Sequence, residues 1–129
     1  MMMSGRREQG RGSAMVAAAL LLLLLSHCEM ARAAVYTVGG AAGWTFNVVG
    51  WPQGKRFKAG DVLLFKYNPT IHNLVVVSKA GYNTCSVPKG ARTYRSGNDR
   101  IVLRKGQNFF LCSLPGHCQS GMKIAVNAA

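Results

Sequence analysis

The chain has 129 residues, 49% of them hydrophobic, and carries 16 Lys and Arg against 4 Asp and Glu, a formal net charge of +12. That length allows one small domain with one core beside a short leader, and it excludes a multidomain enzyme. The charge invites a nucleic-acid reading, but twelve of the sixteen cations are scattered from Lys55 to Lys123 with no dense run and no RNA-binding signature, so nucleic acid is excluded as a partner.

In chain order, Arg6, Arg7 and Arg11 precede an unbroken apolar run from Ala14 to Leu25, and Ala31-Arg32-Ala33 follows as a small-x-small cleavage pattern. These features predict a secretory signal over residues 1–33, cut after Ala33. The apolar run is shorter than the about 20 residues a membrane span needs. A secreted, extracellular product is therefore expected, in the apoplast, cell wall or extracellular matrix, without a membrane anchor and as a monomer. Cleavage removes five Met, His27 and Cys28, so residues 34–129 keep Met122 alone, His72 and His117, and Cys85, Cys112 and Cys118. An odd cysteine count in an exported domain leaves one thiol to react, to pair with another molecule or to bind metal.

Residues 34–129 read as one domain of short strands separated by turn residues. Val35–Val38 ends at Gly39-Gly40, and a Gly- and Trp-rich stretch runs to Gly54. Asp61–Tyr67 alternates as a half-buried strand and Asn68-Pro69 breaks it. His72–Val77, with three successive valines, reads as a buried strand, and Lys79–Thr84 as a turn of helix. Val87–Gly97 reads as surface. Arg100–Leu103 and Asn108–Cys112 are strands separated by Lys105-Gly106, and Met122–Val126 is the last. About seven to eight strands at this spacing, with one short helix, predict an all-β, antiparallel Greek-key sandwich.

The chemistry concentrates in Cys112-Ser113-Leu114-Pro115-Gly116-His117-Cys118-Gln119-Ser120-Gly121-Met122, where a thiolate, an imidazole and a thioether follow one another with four residues between each. Two His and one Cys with a weak axial Met form the donor set of an electron-transfer copper site. A strand delivers Cys112, the Pro115-Gly116 turn brings His117 back, Gly121 returns Met122, and His72 arrives from another strand. Taken singly, His72 reads as a core or surface histidine, Met122 as core filler and Cys112 as half of a disulfide of unfixed connectivity. Taken together, the domain's two His and its one Met in one ligand pattern favour metal.

With these residues in view, and with Val38-Gly39-Gly40, Gly43-Trp44, Trp51-Pro52-Gln53-Gly54-Lys55, Tyr67-Asn68-Pro69 and Pro115-Gly116-His117-Cys118, the domain resembles the phytocyanins. These are the plant cupredoxins, and the likeness is to their plantacyanin branch, the basic blue proteins. The resemblance spans residues 34–129 and implies a cupredoxin-like sandwich holding one type I (blue) copper ion. It implies His72, Cys112, His117 and Met122 as ligands, a Cys85–Cys118 disulfide, and a backbone hydrogen bond from Asn73 towards the Cys112 sulfur. Met at position 122 follows the plantacyanin pattern, whereas the stellacyanin branch would have Gln.

The expected activity is single-electron carriage rather than enzymatic turnover, with an unidentified redox partner or an acidic cell-wall component as the partner. The edge of His117, within an apron of Leu114, Pro115 and Gly116, is the expected electron port. Trp44, Trp51, Phe57, Phe65, Tyr67, Phe109 and Phe110 are read as packing residues. Two rivals remain at this stage. One is a structural zinc site on Cys85, Cys112, His117 and Cys118, which lacks paired CxxC knuckles and would need adjacent side chains to point the same way. The other is a matrix-associated signalling or adhesion module in which copper is secondary.

Overall fold

Successive residues of a strand point to opposite faces, so a run apolar at every position makes a strand covered on both sides. Leu74–Val77 is such a run, and the rest of the fold is arranged around it. The structure, a computed structural model, describes residues 16–20 and 32–129. In the unit Ala33–Ala129 it contains β1 (Val35–Thr37), β2 (Val62–Lys66), β3 (Leu74–Val77), helix α1 (Lys79–Thr84), β4 (Thr93–Tyr94), β5 (Asn98–Val102), β6 (Gly106–Leu111) and β7 (Lys123–Ala128). One sheet has the order β1-β2-β5 and the other β4-β3-β6-β7.

This is the expected two-sheet, cupredoxin-like sandwich with one short helix, but not every pair is antiparallel. β1 runs parallel to β2, with Val35 opposite Val62. Parallel neighbours need a long crossover, and the loop-rich residues between them supply it. Two further details differ from the sequence reading. Thr93–Tyr94 forms a two-residue edge strand inside the segment expected to be irregular surface. His72 lies ahead of β3 rather than on it, because the turn after Pro69 closes there, with the Ile71 and His72 N–H groups donating to the Asn68 carbonyl at 3.2 and 3.0 Å.

The alternation of β3 and β6 sorts the apolar side chains into two layers. Leu74, Phe110 and Cys112 join the layer between the sheets, with Trp44, Phe65, Leu63, Met122 and Ile124. Trp44 meets Phe65 edge-on at 5.1 Å, and Phe65 meets Phe110 at 5.1 Å. Val75, Val77, Leu111 and Cys118 face the other way, against Tyr82, Cys85 and Phe109. Helix α1 covers that outer layer. Ser78 caps it by accepting from the Gly81 N–H at 3.1 Å. Position 81 must be Gly, since a Cβ there would stand 2.6 Å from the Ser86 carbonyl oxygen.

Cys85, at the end of α1, bonds Cys118 across a sequence separation of 33. Closing a loop of that length stabilises the fold by roughly 3 to 4 kcal/mol in the chain-entropy account. The predicted leader lies mostly outside the described residues, of which 16–20 are helical. Among the described residues, no helix is long and apolar enough to cross a membrane.

The half-buried Tyr67 hydroxyl donates to Asp99, whose other oxygen accepts from Ser96. Burial, reinforced by that hydrogen bond, pushes the Tyr67 phenol up to about 12. Its contribution is fully present below the ordinary phenol value near 10 and is lost as pH rises through about 12, because the unfolded chain gives up the proton first. Two outcomes follow. The double substitution Cys85→Ser, Cys118→Ser should lower stability by roughly 3 kcal/mol in guanidinium unfolding. Tyr67→Phe should flatten the decline in urea midpoint expected of the parent protein between about pH 10 and 12.

Candidate metal centre

The site forms where β3 and β6 run out of ladder. The last paired rung joins Val75 to Leu111, and continuing that register would set Asn73 opposite Ser113. Here the Asn73 carboxamide takes the place of the backbone. Its Oδ1 accepts from the Ser113 N–H at 2.9 Å, and its Nδ2 donates to Ser113 Oγ at 2.8 Å. The Asn73 carbonyl accepts from Trp44 Nε1 at 2.9 Å. A buried residue thus ties the loop before β3, the loop after β6 and the crossover segment into one frame. Beyond Val75 and Leu111 the backbone ladder does not continue, and the site lies between the His72 turn and the Cys112 loop.

Into that space the donor atoms converge. His72 Nδ1 lies 3.1 Å from His117 Nδ1, and Cys112 Sγ lies 3.5 Å from His117 Nδ1. His72, Cys112 and His117 each offer a ligand atom, and all three atoms fall within 4.8 Å of one another. Cys112 is fully buried and is the one free thiol among the described residues. Burial, with the neighbouring His117 ring, holds the His72 imidazole below its ordinary value. At neutral pH its ring therefore keeps a lone pair free for a metal.

The loop geometry follows from local backbone bonds. The His117 N–H donates to the Leu114 carbonyl at 3.1 Å, closing the turn through Pro115 and Gly116. The Met122 N–H donates to the His117 carbonyl at 3.1 Å, and the Cys112 N–H to the Met122 carbonyl at 3.1 Å. Met122, fully buried, is thereby fixed beside both other loop residues. Gly121 adopts φ +82°, and a Cβ there would meet Asn47 Cα at 3.1 Å. Only Gly fits that return comfortably.

The structure brings together three of the four predicted donors by side-chain geometry and the fourth by backbone contact. The expected hydrogen bond from the Asn73 backbone to the sulfur is not among those of the described residues. Asn73 connects through its side chain and carbonyl instead. The disulfide removes Cys85 and Cys118 from any zinc set, leaving that rival two donors short.

Sequence reading also missed Phe46. Its ring meets His72 at 5.3 Å and His117 at 4.8 Å, both edge-on, while 40% of the residue stays exposed. A large aromatic in a stretch without strand or helix periodicity was the available signal. With exposed Ile71 and Pro115 and half-buried Leu114, it gives this end of the molecule an apolar surface around the half-buried His117.

A profile described as the plastocyanin-like domain matches residues 44–122. A basic blue protein of Cucumis sativus is 65% identical over 95 residues, spanning 74% of this chain and 99% of that protein. The chain belongs to the plastocyanin-like family, among the basic blue proteins. A chemocyanin of Lilium longiflorum is 55% identical over 124 residues, covering 94% of this chain and 98% of the relative. The solved structure of cucumber basic protein, a blue copper protein, superposes with a TM-score of 0.74 at 64% identity, covering 74% of this chain and all of that one. In this basic blue protein family member, Asn73→Ala should leave the part-buried Ser113 N–H without its partner. A loss of about 1 to 3 kcal/mol is expected in denaturant unfolding.

Proposed function

We propose that the protein is a secreted, monomeric type I copper protein that carries single electrons and performs no enzymatic turnover, with residues 1–33 removed on export. The observation that carries this reading is the convergence of His72 Nδ1, His117 Nδ1 and the lone buried thiol of Cys112 beside Met122. A first-row ion bonded at about 2.0 Å to nitrogen and 2.3 Å to sulfur would hold such donors roughly 3.3 to 3.7 Å apart. The spacings of 3.1 and 3.5 Å are close to that fit. Two imidazoles, a thiolate and a thioether suit copper better than a hard cation. The similarity to blue copper proteins supports the same assignment.

Copper held there would supply one-electron exchange between its cupric and cuprous states. The chain's own part is to keep the donors still and dry. His72 and Cys112 are anchored through Asn73, His117 and Met122 through the loop bonds, and the inter-sheet core excludes water behind them. Donors that hardly move on reduction need little rearrangement, which favours rapid exchange. Phe46 covers the flank of both imidazoles, and the exposed side of His117 offers the route outward. The physiological partner is proposed to be a redox protein or an acidic cell-wall component, drawn by the cationic surface.

Absorption spectroscopy of the copper-loaded protein tests the assignment: an intense blue thiolate-to-copper band is expected. Cys112→Ser should lose it, and a colourless protein retaining zinc would overturn the reading. Phe46→Ala should admit water to both imidazoles and favour the more highly charged oxidised state. The reduction potential is then expected to fall by about 30 to 60 mV, within one tenfold step of a one-electron couple. Leu114→Asp should slow exchange with a small redox protein in stopped-flow measurements, while Lys55→Gln should not.

A further inference from the structure

Away from the metal centre, the open edge of the sandwich carries a groove that electron carriage does not use. It lies where β5, the terminal strand of one sheet, faces β4 and the start of β6 in the other. Its volume is about 470 Å³, within the range of ligand clefts. Arg92, Arg100, Arg104 and Lys105 line it together with Tyr94 and Gln107. All four cationic residues are exposed. His72 precedes β3 and Cys112 follows β6, whereas Val77 and Lys105 lie at the opposite ends of those strands. Five residues of extended chain, roughly 16 Å, separate His72 from Val77.

Three observations mark the groove as more than part of a basic surface. The first is that its positive charge has no internal counterpart. The two acids of residues 34–129 are both buried and engaged elsewhere: Asp61 accepts from the N–H groups of Ala34 and Lys58, and Asp99 from Tyr67 and Ser96. Clustered cations repel one another, and an anionic ligand relieves that repulsion.

The second is that the cations sit on fixed supports. Arg92 stacks over the Tyr94 ring at 5.1 Å. The turn carrying Arg104 and Lys105 is pinned by Asn108, whose Oδ1 accepts from the Arg104 N–H and whose Nδ2 donates to the carbonyls of Arg104 and Gly106. Pre-organised donors lose less on binding. The third is the company they keep. Tyr94 and the half-buried Phe109 line the groove beside them. Gln107 offers an amide, and β5, paired on one side alone, leaves a row of backbone N–H and C=O groups unused by the sheet.

We propose that this groove binds an acidic oligosaccharide, a chain of uronate sugars whose carboxylates pair with Arg92, Arg100, Arg104 and Lys105. The sugar rings lie along the stacked pair of Arg92 and Tyr94, and the hydroxyls meet Gln107 and the β5 edge. Planar guanidinium groups match carboxylates in a two-pronged fashion. The aromatic, amide and backbone groups give a polyhydroxylated ring contacts that a simple polyanion would not exploit. The site deepens the acidic cell-wall reading of the partner and draws on no feature of the metal centre.

The test is calorimetric titration of the copper-loaded protein with an oligogalacturonate, with its neutral methyl ester, and with polyglutamate of matched charge. Saturable binding of the oligogalacturonate is expected, at least about tenfold tighter than polyglutamate, with the ester inactive. The double variant Arg100→Gln, Arg104→Gln should weaken it by at least about tenfold. The double variant Lys55→Gln, Arg56→Gln, which removes the same charge elsewhere, should change it by less than about twofold.

Equal binding of polyglutamate, or equal losses in both double variants, would reduce the effect to bulk charge and overturn the proposal. So would no binding, or self-association that the groove variant abolishes, which would assign the groove to a second copy of the chain. The blue band in each variant reports separately on the metal centre, so loss of one reading is told apart from loss of the other.

Discussion

The buried carboxamide of Asn73 is the contact on which the metal end of the molecule depends. A β ladder binds its strands at a fixed spacing, and a site between two strands needs them to part without coming loose. Asn73 supplies one more rung beyond the last backbone pair, made from a side chain, while its carbonyl holds Trp44. The loops bearing His72 and Cys112 are then connected although the backbone ladder has ended. Among the described residues no buried side-chain polar atom lacks a partner, so the site strands no buried side-chain donor or acceptor.

Around that frame the same residues serve packing and chemistry. Cys112 and Met122 belong to the core cluster that includes Trp44, Phe65 and Phe110, so the donors inherit the stiffness of a close-packed interior. His117 is the exception. It rides on a turn at the surface, half-buried, with Phe46 against its ring. The centre is thus rigid on the protein side and partly exposed at His117, an arrangement suited to passing an electron.

Much of this was legible in the sequence because the informative residues are scarce. With one Met and two His in residues 34–129, the pattern from Cys112 to Met122 had few competing explanations. Helix α1 was readable as a turn of helix over Lys79–Thr84, β2 from its alternation, and β3 from its run of valines. What escaped was set by contacts distant in the chain. Phe46 acts through rings 26 and 71 positions away, in a stretch with no period to betray its direction. The Asn73 bridge depends on register between two strands, which no local pattern encodes. β4 is two residues long among Pro, Gly and Arg, and its pairing with β3 outweighs a composition that reads as loop.

The division of the β3 and β6 side chains between two layers also bears on how the protein survives oxidation. Cys112 faces the space between the sheets, while Cys85 and Cys118 meet in the layer under α1. Thiol–disulfide exchange needs the attacking sulfur to reach the bond it breaks. Here a sheet stands between them. Although Cys112 is only six positions from Cys118, the folded chain keeps its nucleophile apart from its crosslink, so correct pairing persists whether or not a metal has yet claimed the thiol.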